Sequence, residues 1–564
     1  MLVLLALGCA DLEGTVADAE GRRDTLVVGV SSDAKSMLYV VSQSAADSAI
    51  IEATNVSPYE SAFDCALGSK PSLAKSWSFD AAGTTLDVEL RGDLTWADGA
   101  PVTAKDVAFT YDLVGDPKVA SPRASSLEHM DRVARPEVID ATHLRWKFTR
   151  AYDRVTMLAH TNLPPVPEHA LRDADRASLR GHALNTATPL ANGPFRVAAW
   201  EKNARIVLEP NPTFTGDASD KPRLRRVIFK VLPEYATRLV ELENGAIDVM
   251  ESVLVADADK IAAEHPEIAL HRRGWRSMDY VAWNSLDADD LKAKSAGLAK
   301  GAKADPDAVK PHPIFGDRAV RRALAKVVDP GKLIADILTS KTTGEVYGRP
   351  SIGTITPALC GVHNDDVKRF AHAPDEARAE LEALGWKDHD GDGILDKDGR
   401  PFRYALLINS GNSRREKAAV LIQSMMRQAG IDVQIEKIES NTFFDRLRKK
   451  DFEAALGGWS AALFVDPSSM WGRDSEFNFT SYRNPRAAEL IDQGLAATDP
   501  AEATARWREL QQLIYEDQPY AFLYWMDEIV AVHGRFQDTS VNILSPYGHL
   551  ERWSVPADKV KYRF

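Results

Sequence analysis

Carboxylates recur at alternate positions in Asp388-His389-Asp390-Gly391-Asp392-Gly393-Ile394-Leu395-Asp396. Asp388, Asp390, Asp392 and Asp396 fall at positions 1, 3, 5 and 9 of a loop with glycine at 6 and the carbonyl of Ile394 at 7. A hard cation such as Ca²⁺ takes about six to eight oxygens, and a loop supplies them at this spacing. Position 12, however, is Gly399 where a bidentate glutamate is needed, and no helical pattern follows. The same residues also suit a turn-rich connection between a helix ending at Trp386 and a strand starting at residue 402. Calcium here would be structural, and no other cofactor is expected.

Other chemistry is missing from the sequence. There is no Gly-x-Ser-x-Gly elbow, no His-Glu-x-x-His, no phosphate-cradling Gly-x-x-x-x-Gly-Lys-[Ser/Thr] and no Gly-x-Gly-x-x-Gly after a strand. The 13 histidines are scattered; His363, His372 and His389, which a nickel site would have to recruit, read as solvent-facing. The expectation is a protein that is not an enzyme.

The 564 residues carry 69 Lys+Arg against 82 Asp+Glu, a net charge of −13, which argues against nucleic acid as a partner. After residue 8 no apolar run reaches the roughly 18 residues of a membrane span. The N-terminus, Met1-Leu-Val-Leu-Leu-Ala-Leu-Gly8-Cys9, is similar to the end of a bacterial lipoprotein signal, with Cys9 as the lipid attachment site. Ala6-Leu7-Gly8 precedes Cys9 where the pattern is Leu-Ala-Gly, and no basic segment comes first. Residues 10–24 suit a tether. Cys65 and Cys360 are then the only remaining cysteines, too few for a disulfide scaffold but able to form one bridge outside the cytoplasm.

The elements that would position a site mix strands and helices throughout. Thr25–Val30 reads as a buried strand; Trp77, Phe79, Leu86, Val88 and Leu90 alternate with period two. Thr103 and Asp106 form a capping-box pattern ahead of Val107, Tyr111 and Val114. Strands follow at 195–199, 205–209 and 227–231, and a helix at 235–243. Residues 287–310, rich in Ala, Lys and Asp, read as a surface insertion. Strand, helix and strand return at 404–408, 415–429 and 433–438. Helices at 485–496 and 500–516 precede a final strand, 520–525. The class is α/β or α+β.

Several blocks then line up in order. Lys70-Pro-Ser-Leu-Ala-Lys-Ser-Trp77 leads to Leu90-Arg-Gly-Asp-Leu-Thr-Trp96-Ala-Asp98-Gly99-Ala-Pro101 and on to Asp106-Val107. Asn192-Gly-Pro-Phe195, Glu209-Pro-Asn211-Pro212, Ala319-Val-Arg321, Gly385-Trp386, Gly457-Gly-Trp459, Asp466-Pro467 and Glu516-Asp517-Gln-Pro519-Tyr520 follow. The series resembles the extracellular solute-binding protein family 5, the receptors of dipeptide, oligopeptide and nickel ABC importers, over about residues 25–555.

The resemblance implies an α/β, two-lobed periplasmic-binding-protein-like clamshell with an extra inserted domain. Residues 25–69, 195–277 and 526–564 would form the first-lobe domain, 70–194 the inserted domain and 278–525 the second lobe, with hinge strands crossing near 275 and 525. It implies an extracytoplasmic, lipid-anchored monomer that hands a peptide or other small solute to ABC permease subunits. Trp459, Ser460, Ala461 and Ala462 would line the cavity. In the peptide-binding branch a carboxylate three positions after this tryptophan pairs with the ligand ammonium; here Ala462 stands there, so that grip is lost. Asn441, Phe444, Asn409, Ser44 and Tyr59 are further candidates. The alternative weighed is a secreted calcium-dependent hydrolase using the 388–399 loop.

Overall fold

The computed structural model describes residues 25–42, 44–62, 68–123, 133–216, 220–296, 298, 304–460, 465–473, 475 and 477–560. Its backbone is one sheet of eleven strands: β1 (Thr25–Val30), β2 (Phe195–Glu201), β3 (Arg205–Pro210), β4 (Arg226–Val231), β5 (Val249–Met250), β6 (Ile268–Trp283), β7 (Gly348–Pro350), β8 (Arg403–Asn409), β9 (Asp432–Ile438), β10 (Ala454–Ser460) and β11 (Tyr520–His533). Ten of these run in the order β9-β8-β10-β6-β11-β5-β1-β4-β3-β2, and β7 pairs with β11 off that path. β1 lies parallel to β4 and β5, and β8 parallel to β9 and β10. Two parallel clusters thus flank the long antiparallel pair β6–β11.

That pair is the bridge between the halves of the molecule. Residues Ile268–Arg273 of β6 face Glu528–His533, and Ser277–Ala282 face Tyr520–Met526. Between Arg273 and Ser277 the register shifts, and Trp275 adopts a positive φ of 56°. A bulge bends its strand and strengthens the local twist. β10 pairs with β6 only beyond this point, from Ser277 to Trp283. The apolar run read at 520–525 continues to His533, through the polar interruption Asp527-Glu528.

Each half has its own core. Leu26, Val28, Phe195, Phe229 and Trp553 pack beside β1, while Trp283, Phe315, Tyr404, Ile422 and Leu456 pack beside β8. Asp248 and Arg535, both buried, tie the C-terminal segment to β1: Arg535 donates to both Asp248 oxygens, and Val27 N–H donates to Oδ2 at 2.9 Å. A separate four-stranded sheet, ordered 74–79, 85–90, 143–147, 137–138, buries Leu86, Val88 and Leu90 as the alternation predicts, together with Trp146. Its core is continuous with Tyr280, Trp471, Trp507 and Tyr520 of the opposite half.

The helix Ala104–Gly115 behind that sheet starts as its sequence predicts. Asp106 Oδ2 accepts from the Thr103 N–H at 2.7 Å, and Oδ1 accepts from the Glu168 N–H at 2.8 Å. Asp106→Ala should lower stability by about 2 kcal/mol, the upper end for a lost cap, because the side chain is buried and serves two backbone donors. Urea denaturation of the variant checks this. The insertion at 287–310 includes a mostly exposed helix, Ala288–Ser295, with a bridge between Leu286 and Pro311 closing its base.

Candidate functional site

In open α/β sheets ligands bind in the crevice beyond the carboxyl ends of the parallel strands. β1 ends into Ser31 and Ser32, β10 ends at Ser460, and β8 ends at Asn409. Two cavities, of about 750 Å³ and 530 Å³, meet there and share Ser252, Ser277, Ser460 and Glu528 as walls. Ser277 and Ser460 are register partners across β6 and β10. The larger cavity lies between residues 252–264 on one side and 336–342 and 412–417 on the other. The smaller is bounded by residues 29–32, Glu52, Arg238, Glu251, Arg273 and Tyr547.

Charge is organised around both spaces. Arg273 donates from Nε to the Asn542 carbonyl at 2.9 Å and from Nη1 to Glu528 at 2.5 Å. Glu528 also accepts from Ser252 Oγ at 2.6 Å. Glu251 accepts from the Tyr547 hydroxyl. Burial first, and then the neighbouring Glu528 carboxylate, push the Glu251 carboxyl up to about 8. Beside the larger cavity, Arg414 donates to fully buried Asp279 at 2.9 Å and Arg415 at 3.0 Å. This fixes the first turn of the helix Ser413–Gln428 against β6. Gly458 is required there: a Cβ would lie 2.5 Å from Asp279 Oδ1 and 2.6 Å from the Met278 carbonyl.

The candidates from the sequence fall into separate groups. Ser460 lines both cavities. Its neighbour Trp459 points to the opposite face, as successive strand residues do, and lies in a stack of rings. Tyr520 and Tyr280 stack at 4.0 Å, Tyr280 and Trp459 at 6.2 Å, and Trp459 and Phe479 at 5.4 Å. Asn409 accepts from Arg415 at 3.0 Å and so supports the same helix start. Phe444 lies on the helix Ser440–Lys449, 37% exposed and edge-on to Phe443. Asn441 shares that helix.

Ser44 caps the helix Ala45–Thr54, accepting from the Asp47 N–H at 3.1 Å. Tyr59 is buried against Trp77 at 5.1 Å, away from both cavities. Ala461, Ala462, Cys65 and Cys9 lie outside the described residues, and Cys360 is disulfide-bonded. Sequence reasoning missed Ser252, Ser277, Glu251, Arg273, Glu528 and Tyr547. The available signal was the pair Asp527-Glu528 breaking an otherwise apolar strand.

In the 388–399 loop, Asp388, Asp390 and Asp392 bring carboxylate oxygens within 4.8 Å of one another. Asp396, expected as the fourth ligand, instead pairs with His389 Nδ1 at 2.8 Å and accepts from its N–H. Its residues 396–397 pair with 400–401 as a hairpin, which turns this carboxylate out of the group. Asp388 itself accepts from the Gly391 and Gly393 N–H groups, the pattern of a turn.

Among the described residues no helix is long and apolar enough to cross a membrane. Among the described residues neither cavity is lined by a histidine or cysteine. The oligopeptide-binding protein AppA of Bacillus subtilis is 26% identical over 494 residues, covering 86% of this chain and 84% of AppA. The solved structure of AppA with a nonapeptide superposes with a TM-score of 0.79 at 25% identity, covering 94% of this chain and 99% of that one. NikZ of Campylobacter jejuni in complex with Ni(L-His) shares the fold, with a TM-score of 0.78 at 19% identity over the same 94% of this chain and 99% of its own. The family model for the middle part of the bacterial extracellular solute-binding proteins, family 5, matches residues 69–481. With that match across most of its length, and with its cleft at a two-strand crossover, the chain belongs to family 5 of the bacterial extracellular solute-binding proteins.

Proposed function

We propose that this chain captures a small solute, with short peptides the class best supported, between two lobes and delivers it chemically unchanged to ABC permease subunits. The observation that supports this most is the cleft itself, two cavities that meet where β6 and β11 cross between the halves, with a bulge in the crossing strand. A solute that touches both walls binds the closed form better, so it shifts an open–closed equilibrium by that difference. Moving the balance from 1:99 to 99:1 takes about 5.5 kcal/mol, within reach of a few buried hydrogen bonds.

In this account residues 25–69, 195–277 and 526–564 move as one lobe with the inserted 70–194, and 278–525 moves as the other. Ser460, Ser277 and Ser252 offer hydroxyls to the solute, and Asn409 acts through Arg415. The receptor works as a monomer outside the cytoplasm, held to the membrane through Cys9. Calcium at Asp388, Asp390 and Asp392 would stiffen a surface turn and takes no part in capture. Oligopeptide binding by AppA supports the peptide class.

Small-angle scattering with a pool of randomised pentapeptides tests the account. The radius of gyration should fall with the pool, and mass spectrometry should recover the bound peptides intact. Cleaved products, or no compaction and no retention, would defeat it.

A further inference from the structure

We propose that the smaller cavity is a subsite for a cationic group of the solute, an alkylammonium or guanidinium, received between Glu251 and Glu528. This rests on the receptor function above and names the chemistry of part of its cleft.

The case comes from which lining groups are already engaged. Five charged side chains face the space: Glu52, Glu251 and Glu528 against Arg238 and Arg273. All three nitrogens of Arg273 are committed, to the Asn542 and Ile543 carbonyls and to Glu528. Arg238 donates from Nη1 to both the Leu232 and Pro233 carbonyls, at 2.5 and 2.8 Å. Glu251, by contrast, has the Tyr547 hydroxyl as its one hydrogen-bond donor among the described residues. A carboxylate accepts about four hydrogen bonds, so most of its capacity faces the cavity unmet. The carboxylates come from separate elements, the helix Ala45–Thr54, the turn after β5 and the middle of β11, and no local turn geometry explains why they converge.

At about 530 Å³ the space is far larger than a bare ion needs, and it suits a side-chain-sized organic cation. The hydroxyls of Ser252, Ser277 and Ser460 on the same wall can take the polar body to which that cation is attached. The raised Glu251 carboxyl agrees: burial and Glu528 oppose its charge, Arg273 and Arg238 only partly relieve them, and Glu52 adds to the opposition. An arriving cation would let it ionise, with release of a proton. Cation affinity should therefore fall as the pH drops below about 8, by up to tenfold per unit.

The test uses the full chain and the randomised pentapeptide pool at pH 8.5, with mass spectrometry of what is retained. Lys, Arg or His should be enriched several-fold at one position, and Glu251→Gln should abolish the enrichment. A retained peptide remade with norleucine in place of that lysine should bind the wild type at least tenfold more weakly, a comparison that holds even if the variant fails to fold. Retention of lysine and norleucine peptides alike would overturn the cationic subsite and leave the receptor function standing. No retention of any peptide would overturn both.

Discussion

Replacing Asp279 with alanine should cost about 3–5 kcal/mol of unfolding free energy, the range for breaking a buried ion pair from one side. Asp279 is fully buried in the middle of β6 and receives Arg414, Arg415 and the Tyr524 hydroxyl, the last at 3.2 Å. The two guanidiniums are themselves mostly covered, with 22% and 13% of their side chains exposed. Truncation leaves both cations facing each other with no counter-charge, which is worse than removing the whole cluster. Burial pushes the Asp279 carboxyl up, but Arg414 and then Arg415 more than offset it, so the group is held below the usual carboxylate range.

Because the folded value is depressed, the stability it contributes is fully present above the ordinary aspartate range. That contribution is lost as the pH falls through the folded value. Urea titrations at pH 7 and at pH 3 should therefore show a wide gap between wild type and Asp279→Ala that narrows at the acid end. A gap under 1 kcal/mol at pH 7 would mean that the two arginines have found other partners. The variant should also loosen the start of the helix Ser413–Gln428 and the cleft wall at 412–417.

Most of the architecture was legible because regular burial leaves a regular pattern. The near-continuous apolar run of β1 belongs to a parallel strand covered on both faces, and the alternation at 85–90 belongs to a sheet with one face covered. The bridging strands were harder for the same reason reversed. β6 carries Arg272-Arg273-Gly274-Trp275-Arg276 in its middle, and β11 carries Asp527-Glu528, so both lose their apolar signature where they pass from one core to the other. Those interruptions are where the cleft opens. Read by sequence alone they end a strand; in three dimensions they mark its cavity-lining segment. The ionic ties Asp248–Arg535 and Asp279–Arg414 were illegible, since their partners lie 287 and 135 residues apart.

Of the residues that line the cavities only Ser460 was legible, and only through resemblance; strand alternation then separates it from Trp459. Trp459 and Ser460 are neighbours in sequence and sit on opposite faces of β10, so one joins the ring stack while the other lines the cavities. Trp459 has Tyr280 and Phe479 roughly parallel to it, at interplanar angles of 22° and 14°, with Phe477 edge-on at 5.5 Å. Its Nε1 donates to the Tyr520 hydroxyl at 3.4 Å. The ring is therefore engaged by three aromatic neighbours and a hydrogen bond within the protein. Trp459→Ala should lower stability by about 3 kcal/mol, the low end for an aromatic truncation because the ring is only partly buried.

Trp459→Phe keeps a planar ring in the stack and gives up the weak Nε1 bond, and should lose about 1 kcal/mol. If the ring packs rather than grips the solute, Trp459→Phe binds retained peptides as the wild type does, and Ser460→Val does not. Calorimetry on both variants separates the alternatives. A Trp459→Phe protein that is as stable as the wild type yet has lost its affinity would place the indole in contact with the solute after all.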